Sequence, residues 1–125
     1  MKTASHFTFS GNGRIVISLG NPRGVPGGYR MFKALAPDRE WMNAPLAEYR
    51  QRFLDKLSKL DVQATWERLH ELAGEGNEPV LQCFEKPPFT ASNWCHRRLV
   101  AAFFEERLGV KVPEVGYDGP DHIGG

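Results

Sequence analysis

The chain has 125 residues, 41% hydrophobic and 25% charged, which suits one globular domain and leaves no room for two full cores. A formal net charge of +1 excludes a global field that would recruit DNA, RNA or an acidic membrane, so any bound anion must be held by a local cluster. No segment approaches the roughly 18 apolar residues of a membrane span. Met1 to His6 lead into no apolar run of the secretory kind. A cytoplasmic protein with reduced Cys83 and Cys95 is therefore expected, a bridge between the two being the less favoured state.

In chain order, Phe7 and Phe9 alternate with polar residues and predict a first strand over His6 to Ser10. Gly11-Asn12-Gly13 is a turn, and the β-branched run Arg14 to Leu19 predicts a buried second strand. From Gly20 to Gly28, seven of nine residues are Gly, Pro or Asn, which marks a loop leaving a strand end. Pro37 breaks any helix there, and a helix is expected from near Asn43 with Pro45 in its first turn. Leu46, Tyr49, Phe53, Leu57 and Leu60 form its apolar face. Asp61 is placed to cap a second helix that presents Val62, Trp66, Leu69 and Leu72 and stops at Gly74. Val80 to Cys83 reads as a strand and Pro87-Pro88 as an irregular loop. A third helix is expected from Cys95 to Leu108, ended by Gly109, then a last strand through Val110, Val112 and Val115. Residues 116–125 read as a loose tail after a single domain over 1–115. Strands separated by helices predict an α/β class: a compact three-layer domain with a short, mainly parallel sheet flanked by helices. Ligands of such folds sit at the carboxyl ends of the strands.

The third helix carries the chemistry. Its apolar stripe is Leu99, Val100, Phe103, Phe104 and Leu108, and at about 100° per residue His96 projects onto that stripe, Arg97 onto its flank and Arg98 toward solvent. Cys95 lies at the first turn, where unpaired N–H groups favour a thiolate and a nearby anion. Arg97 and Arg98 oppose the helix dipole, which makes sense if an anion shares them: a ligand phosphate, a ligand carboxylate, or Glu85. Arg23, Arg30 and Lys33 follow a strand end and would complete an anion pocket, or form only a solvated basic loop. Cys83, Cys95 and His96 offer three zinc-type ligands, but with no CxxC pair and no clear fourth ligand neither metal nor cofactor is expected. Trp94 either staples the helix start or walls a pocket for a flat ligand.

Leu81-Gln82-Cys83-Phe84-Glu85-Lys86-Pro87, followed by Cys95-His96-Arg97-Arg98-Leu99-Val100, resembles the domain of unknown function 488 family, in particular its small phage- and bacterium-associated members. Asn21-Pro22-Arg23-Gly24 and Lys33-Ala34-Leu35-Ala36-Pro37 are similar to its early segments, with the order Pro-Arg-Gly in place of Arg-Gly-Pro. The loop from Glu85 to Cys95 is longer than the family's by Phe89 to Trp94. The resemblance implies a compact α/β fold with the signature residues gathered at one end of the sheet, and no settled reaction.

Two functions from different classes fit these residues. One is an enzyme acting on a nucleotide-like or other anionic small molecule, or on a nucleic-acid base. Cys95 would be nucleophile or His96 general acid/base, oriented by Glu85, with Arg23, Lys33, Cys83, Lys86 and Arg97 on the substrate. The other is a non-catalytic module for nucleotide, nucleic acid or protein, its nucleic-acid form weakened by the near-neutral charge. In the second case Glu85, His96 and Arg97 would be a polar network fixing the strand–loop–helix junction.

Overall fold

The 3.6-residue periodicity of the central third becomes two helices, α1 (Leu46–Ser58) and α2 (Val62–Ala73), in a computed structural model that describes residues 1–123. Pro45 is the N-cap residue of α1, and the face formed by Tyr49, Phe53 and Leu57 is buried. Asp61 caps α2 by accepting from the Ala64 N–H at 2.9 Å, and Gly74 ends it at φ 93°, a backbone geometry that favours glycine. Replacing Asp61 by Ala is expected to lower stability by about 1 kcal/mol, the usual value of such a cap. Urea unfolding checks this, and an unchanged midpoint would deny the cap any role.

Four strands, β1 (Lys2–Ser5), β2 (Arg14–Val16), β3 (Arg30–Met31) and β4 (Val80–Cys83), form one sheet in the order β1-β4-β2-β3. All its pairings are parallel, with Ser5 opposite Cys83 and Val16 opposite Gln82. Helix α3 (Arg97–Leu108) ends at Gly109, φ 67°. The fold is α/β, as the element order predicts. Ile15, Ile17 and Leu81 face a core with Phe53, Leu57, Leu69, Leu99 and Phe104 from the three helices. Gln82 points the other way, as strand alternation requires, and donates to the carbonyls of Ser5 and Phe9, so the loop after β1 covers that side.

Three expectations shift. The first strand lies at Lys2–Ser5, not His6–Ser10; Phe7 is exposed, and residues 6–8 turn. The segment after α3 forms no ladder, but Glu114 bridges to Thr3 in parallel. Residues 116–123, expected as a tail, run back over the domain: Ile123 is buried in the core, its carbonyl accepts from Arg50 Nε, and Asp121 pairs with Arg98. Gly124 and Gly125 lie outside the described residues. No helix among the described residues is long and apolar enough to cross a membrane.

Candidate functional site

Because β4 runs between β1 and β2 in parallel, the carboxyl ends of all three strands deliver their next residues to one edge. The His6 N–H donates to the Cys83 carbonyl and the Ile17 N–H to the Gln82 carbonyl, each at 2.9 Å. His6, Ser18 and the Cys83–Glu85 segment therefore meet there. The start of α3 docks on the same edge.

His96 is fixed by one strong bond. Its ring Nε2–H donates to the Ile17 carbonyl at 2.7 Å, so its other nitrogen, Nδ1, carries the lone pair. Nδ1 faces Cys95 Sγ at 3.7 Å. Phe53 packs on the ring edge-to-face with centroids 5.2 Å apart, and His96 is 5% exposed. His96 thus faces inward, as its place on the stripe predicts, but its orienting partner is a backbone carbonyl rather than Glu85. Burial holds the imidazole neutral, its pKa pushed down to about 4 from 6.5.

Cys83 and Cys95 are joined as a disulfide, where reduced thiols were expected. The end of β4 and the residue before α3 are brought together by the sheet-edge geometry, which spacing alone could not show. With Nδ1 of His96 they form a buried set whose three donor atoms lie within 4.8 Å of one another.

Arg97 is wholly buried. Its Nε and Nη2 grip the two oxygens of Glu114 at 2.9 and 2.7 Å, Nη2 also donates to the Glu85 carbonyl at 2.7 Å, and Nη1 reaches Cys83 Sγ at 3.1 Å. Phe89 lies against the guanidinium, 5.1 Å from its ring centre. The anion that offsets the charge at this helix start is therefore the chain's own Glu114. Arg98, expected in solvent, is also buried: it donates to Thr3 Oγ1 and the Val112 carbonyl and pairs with Asp121. The segment from 112 to 121 covers the helix face that periodicity alone leaves open.

The cluster opens onto a cavity of about 410 Å³, in the range of small-molecule sites. Cys83, Cys95 and His96 line it with the rings of Tyr49, Phe84 and Trp94 and with Ser18, Asn43, Glu85 and Ser92. Burial, and the charge of Glu85 on the same cavity wall, raise the Tyr49 phenol pKa. No Lys or Arg lines the cavity. Lys33 donates its ammonium to the carbonyls of Ser18 and Leu19, holding the rim from behind, while Arg23 and Lys86 are exposed and outside the lining. A second depression, at the amino ends of the strands between Gly11–Arg14, Gly27–Arg30 and the end of α2, presents no cysteine, serine or histidine.

Sequence reasoning missed three participants. Glu114 had a signal, a lone carboxylate among Val112, Pro113 and Val115, which in a buried segment demands a cation. Ser18 and His6 had none. Ser18 Oγ–H donates to the Gly20 carbonyl at 2.8 Å and accepts from His6 Nε2 at 3.2 Å, and among the described residues buried His6 Nδ1 has no hydrogen-bond partner. Burial lowers the His6 pKa to about 4 as well.

These two histidines set a pH dependence. Both have folded pKa values below the unfolded 6.5, so the unfolded chain binds more protons between 6.5 and about 4. Their contribution to stability is complete above 6.5, falls as pH drops through that window, and levels off below about 4. Urea midpoints should decline from pH 7 to pH 4 and decline less in His96→Gln; a flat profile would show that neither ring is held neutral.

Residues 22–104 match the family described as Domain of unknown function DUF488. The chain belongs to that family. The match takes in Arg23, Lys33, Cys83, Glu85, Lys86, Cys95, His96 and Arg97, and leaves out Ile17, Ser18 and Glu114, through which this protein completes its site. No curated protein and no solved structure matches the chain.

Proposed function

We propose that this DUF488 protein is an enzyme that binds a flat, nucleobase-like ring in the strand-end cavity and transforms it at Cys95, His96 and Glu85. The observation that carries the reading is the opening of a buried sulfur–imidazole cluster onto a cavity with three aromatic walls. Tyr49, Phe84 and Trp94 offer faces for a ring; Asn43, Ser92 and Ser18 offer polar edges. The absence of cationic side chains from the lining moves the expected substrate away from a phosphate held inside and toward an uncharged ring. Any phosphate of a nucleotide-like ligand would extend outward, where Arg23 and Lys86 are exposed.

In the reduced protein the Cys95 S–H would donate to His96 Nδ1 and pass its proton there only as the sulfur bonds the ring, because burial disfavours a standing imidazolium. Arg97 Nη1, 3.1 Å from Cys83 Sγ, would stabilise negative charge on that sulfur. Glu85, on the cavity wall, is the carboxylate available to move a proton on the substrate.

Reduced protein incubated with free nucleobases, nucleosides and nucleoside monophosphates, and followed by mass spectrometry, tests this. Conversion of at least one ring compound is expected, lost in Cys95→Ala and in Glu85→Gln and kept in Lys59→Ala, at the C-terminal end of α1 and outside the cavity lining. No conversion in the set, or conversion that survives Cys95→Ala, overturns the proposal.

A further inference from the structure

We infer that, once reduced, Cys83 Sγ, Cys95 Sγ and His96 Nδ1 form a three-ligand site for one divalent transition metal of the zinc class, its fourth position open to the cavity. The inference rests on the reading above only in taking the cavity as the place where substrate meets the cluster.

Four observations converge. The three donor atoms lie within 4.8 Å of one another, and all three residues are buried. Two thiolates and one imidazole are a donor set that zinc accepts with about 2.3 Å to sulfur and about 2.0 Å to nitrogen. The tautomer is already set. Nε2–H is tied to the Ile17 carbonyl, which leaves the Nδ1 lone pair aimed at the sulfurs. A ligating histidine is held in this way by its second nitrogen. Arg97 Nη1, on Cys83 Sγ at 3.1 Å, offsets thiolate charge. Finally, the end of β4 and the start of α3 hold the Cα atoms of Cys83 and Cys95 6.9 Å apart. With the bond opened, both sulfurs stay close enough to share one ion.

The chemistry balances simply. Opening the Cys83–Cys95 bond takes two electrons and two protons, supplied by a dithiol that closes its own disulfide. Each thiol then loses its proton to solvent as its sulfur bonds the metal, while His96 binds as the neutral imidazole. Lining residues Cys83, Cys95 and His96 all face the cavity, so the remaining position is reached from there, on the side of Glu85. With metal bound, Cys95 is a ligand, and the metal rather than a free thiolate meets the ring.

Cobalt(II) is the probe. The full chain is reduced with a dithiol, desalted under nitrogen and titrated with Co²⁺. Sulfur-to-cobalt charge-transfer bands and strong visible bands of tetrahedral cobalt are expected to saturate at one metal per chain and to be displaced by Zn²⁺. His96→Gln and Cys83→Ser should each weaken binding by roughly 100-fold or more, beyond what loss of an outer-sphere partner causes. The oxidised wild-type chain, folded and with its sulfurs joined, should give no bands. Absence of bands in the reduced wild type, or affinity unchanged in His96→Gln, overturns the inference. Ring conversion that depends on Cys95 with no cobalt binding removes the metal and leaves the catalytic reading standing. One tightly bound cobalt with no conversion does the reverse.

Discussion

Replacing Glu114 by Ala is expected to destabilise the protein by about 3–5 kcal/mol, the usual result of removing one partner from a buried ion pair. Glu114 is 5% exposed, and its carboxylate takes three hydrogen bonds: two from Arg97 and one from Thr3 Oγ1 at 2.7 Å. Without it, the guanidinium of Arg97 stays buried with only a carbonyl and a sulfur as acceptors. A domain of this size has about 5–15 kcal/mol in total, so the variant should unfold at much lower urea or fail to accumulate. Thr3 would also lose its acceptor, and Arg98, which donates to the Thr3 hydroxyl, would feel the change. The paired variant Arg97→Met with Glu114→Leu should recover much of the loss, because no charge is then left without a partner. Equilibrium unfolding of the single and double variants decides the matter. A loss under about 1 kcal/mol in Glu114→Ala would mean that the pair is solvated and that Arg97 is free for a ligand after all.

Phe53→Ala should cost about 3–5 kcal/mol, as for other fully buried aromatic residues. Phe53 has no exposed surface and packs against Trp41, Tyr49 and His96, at centroid distances of 6.0, 6.1 and 5.2 Å. The cavity left by the ring would loosen two residues of the site, Tyr49 and His96, along with the core. Phe53→Leu separates these effects. It keeps much of the apolar volume and removes the ring face, so stability should fall by a smaller amount while His96 gains rotational freedom. The imidazole resonances of His96 in NMR spectra report that freedom directly. Unchanged resonances in Phe53→Leu would show that the Ile17 carbonyl alone orients the ring.

Helices α1 and α2 were legible because each carried an apolar stripe at helical spacing and a start signal in the sequence, Pro45 for α1 and the capping Asp61 for α2. The strand β1 was not. Lys2-Thr3-Ala4-Ser5 has no β-branched run; it becomes a strand because it pairs with β4, and Thr3 and Ser5 are buried through hydrogen bonds to Glu114 and the Phe84 carbonyl. Those partners lie far along the chain and carry no local signal. Within the site, the location of Cys83, Cys95 and inward His96 was readable from the strand end and the helix stripe. The roles of Arg97 and Arg98 were not, because they depend on where residues 112–121 return. A helical wheel shows which side a residue points to, but not whether another segment later covers that side.

The Thr3–Glu114–Arg97 contact joins positions separated by 111 residues in the case of Thr3 and Glu114. Loops of that span close late, after local helices have formed. Until residues 112–121 fold back, Arg97 has no carboxylate to meet. A chain cut short before Val112 would carry every residue of the cluster and still lack the anchor that holds Arg97 against Cys83.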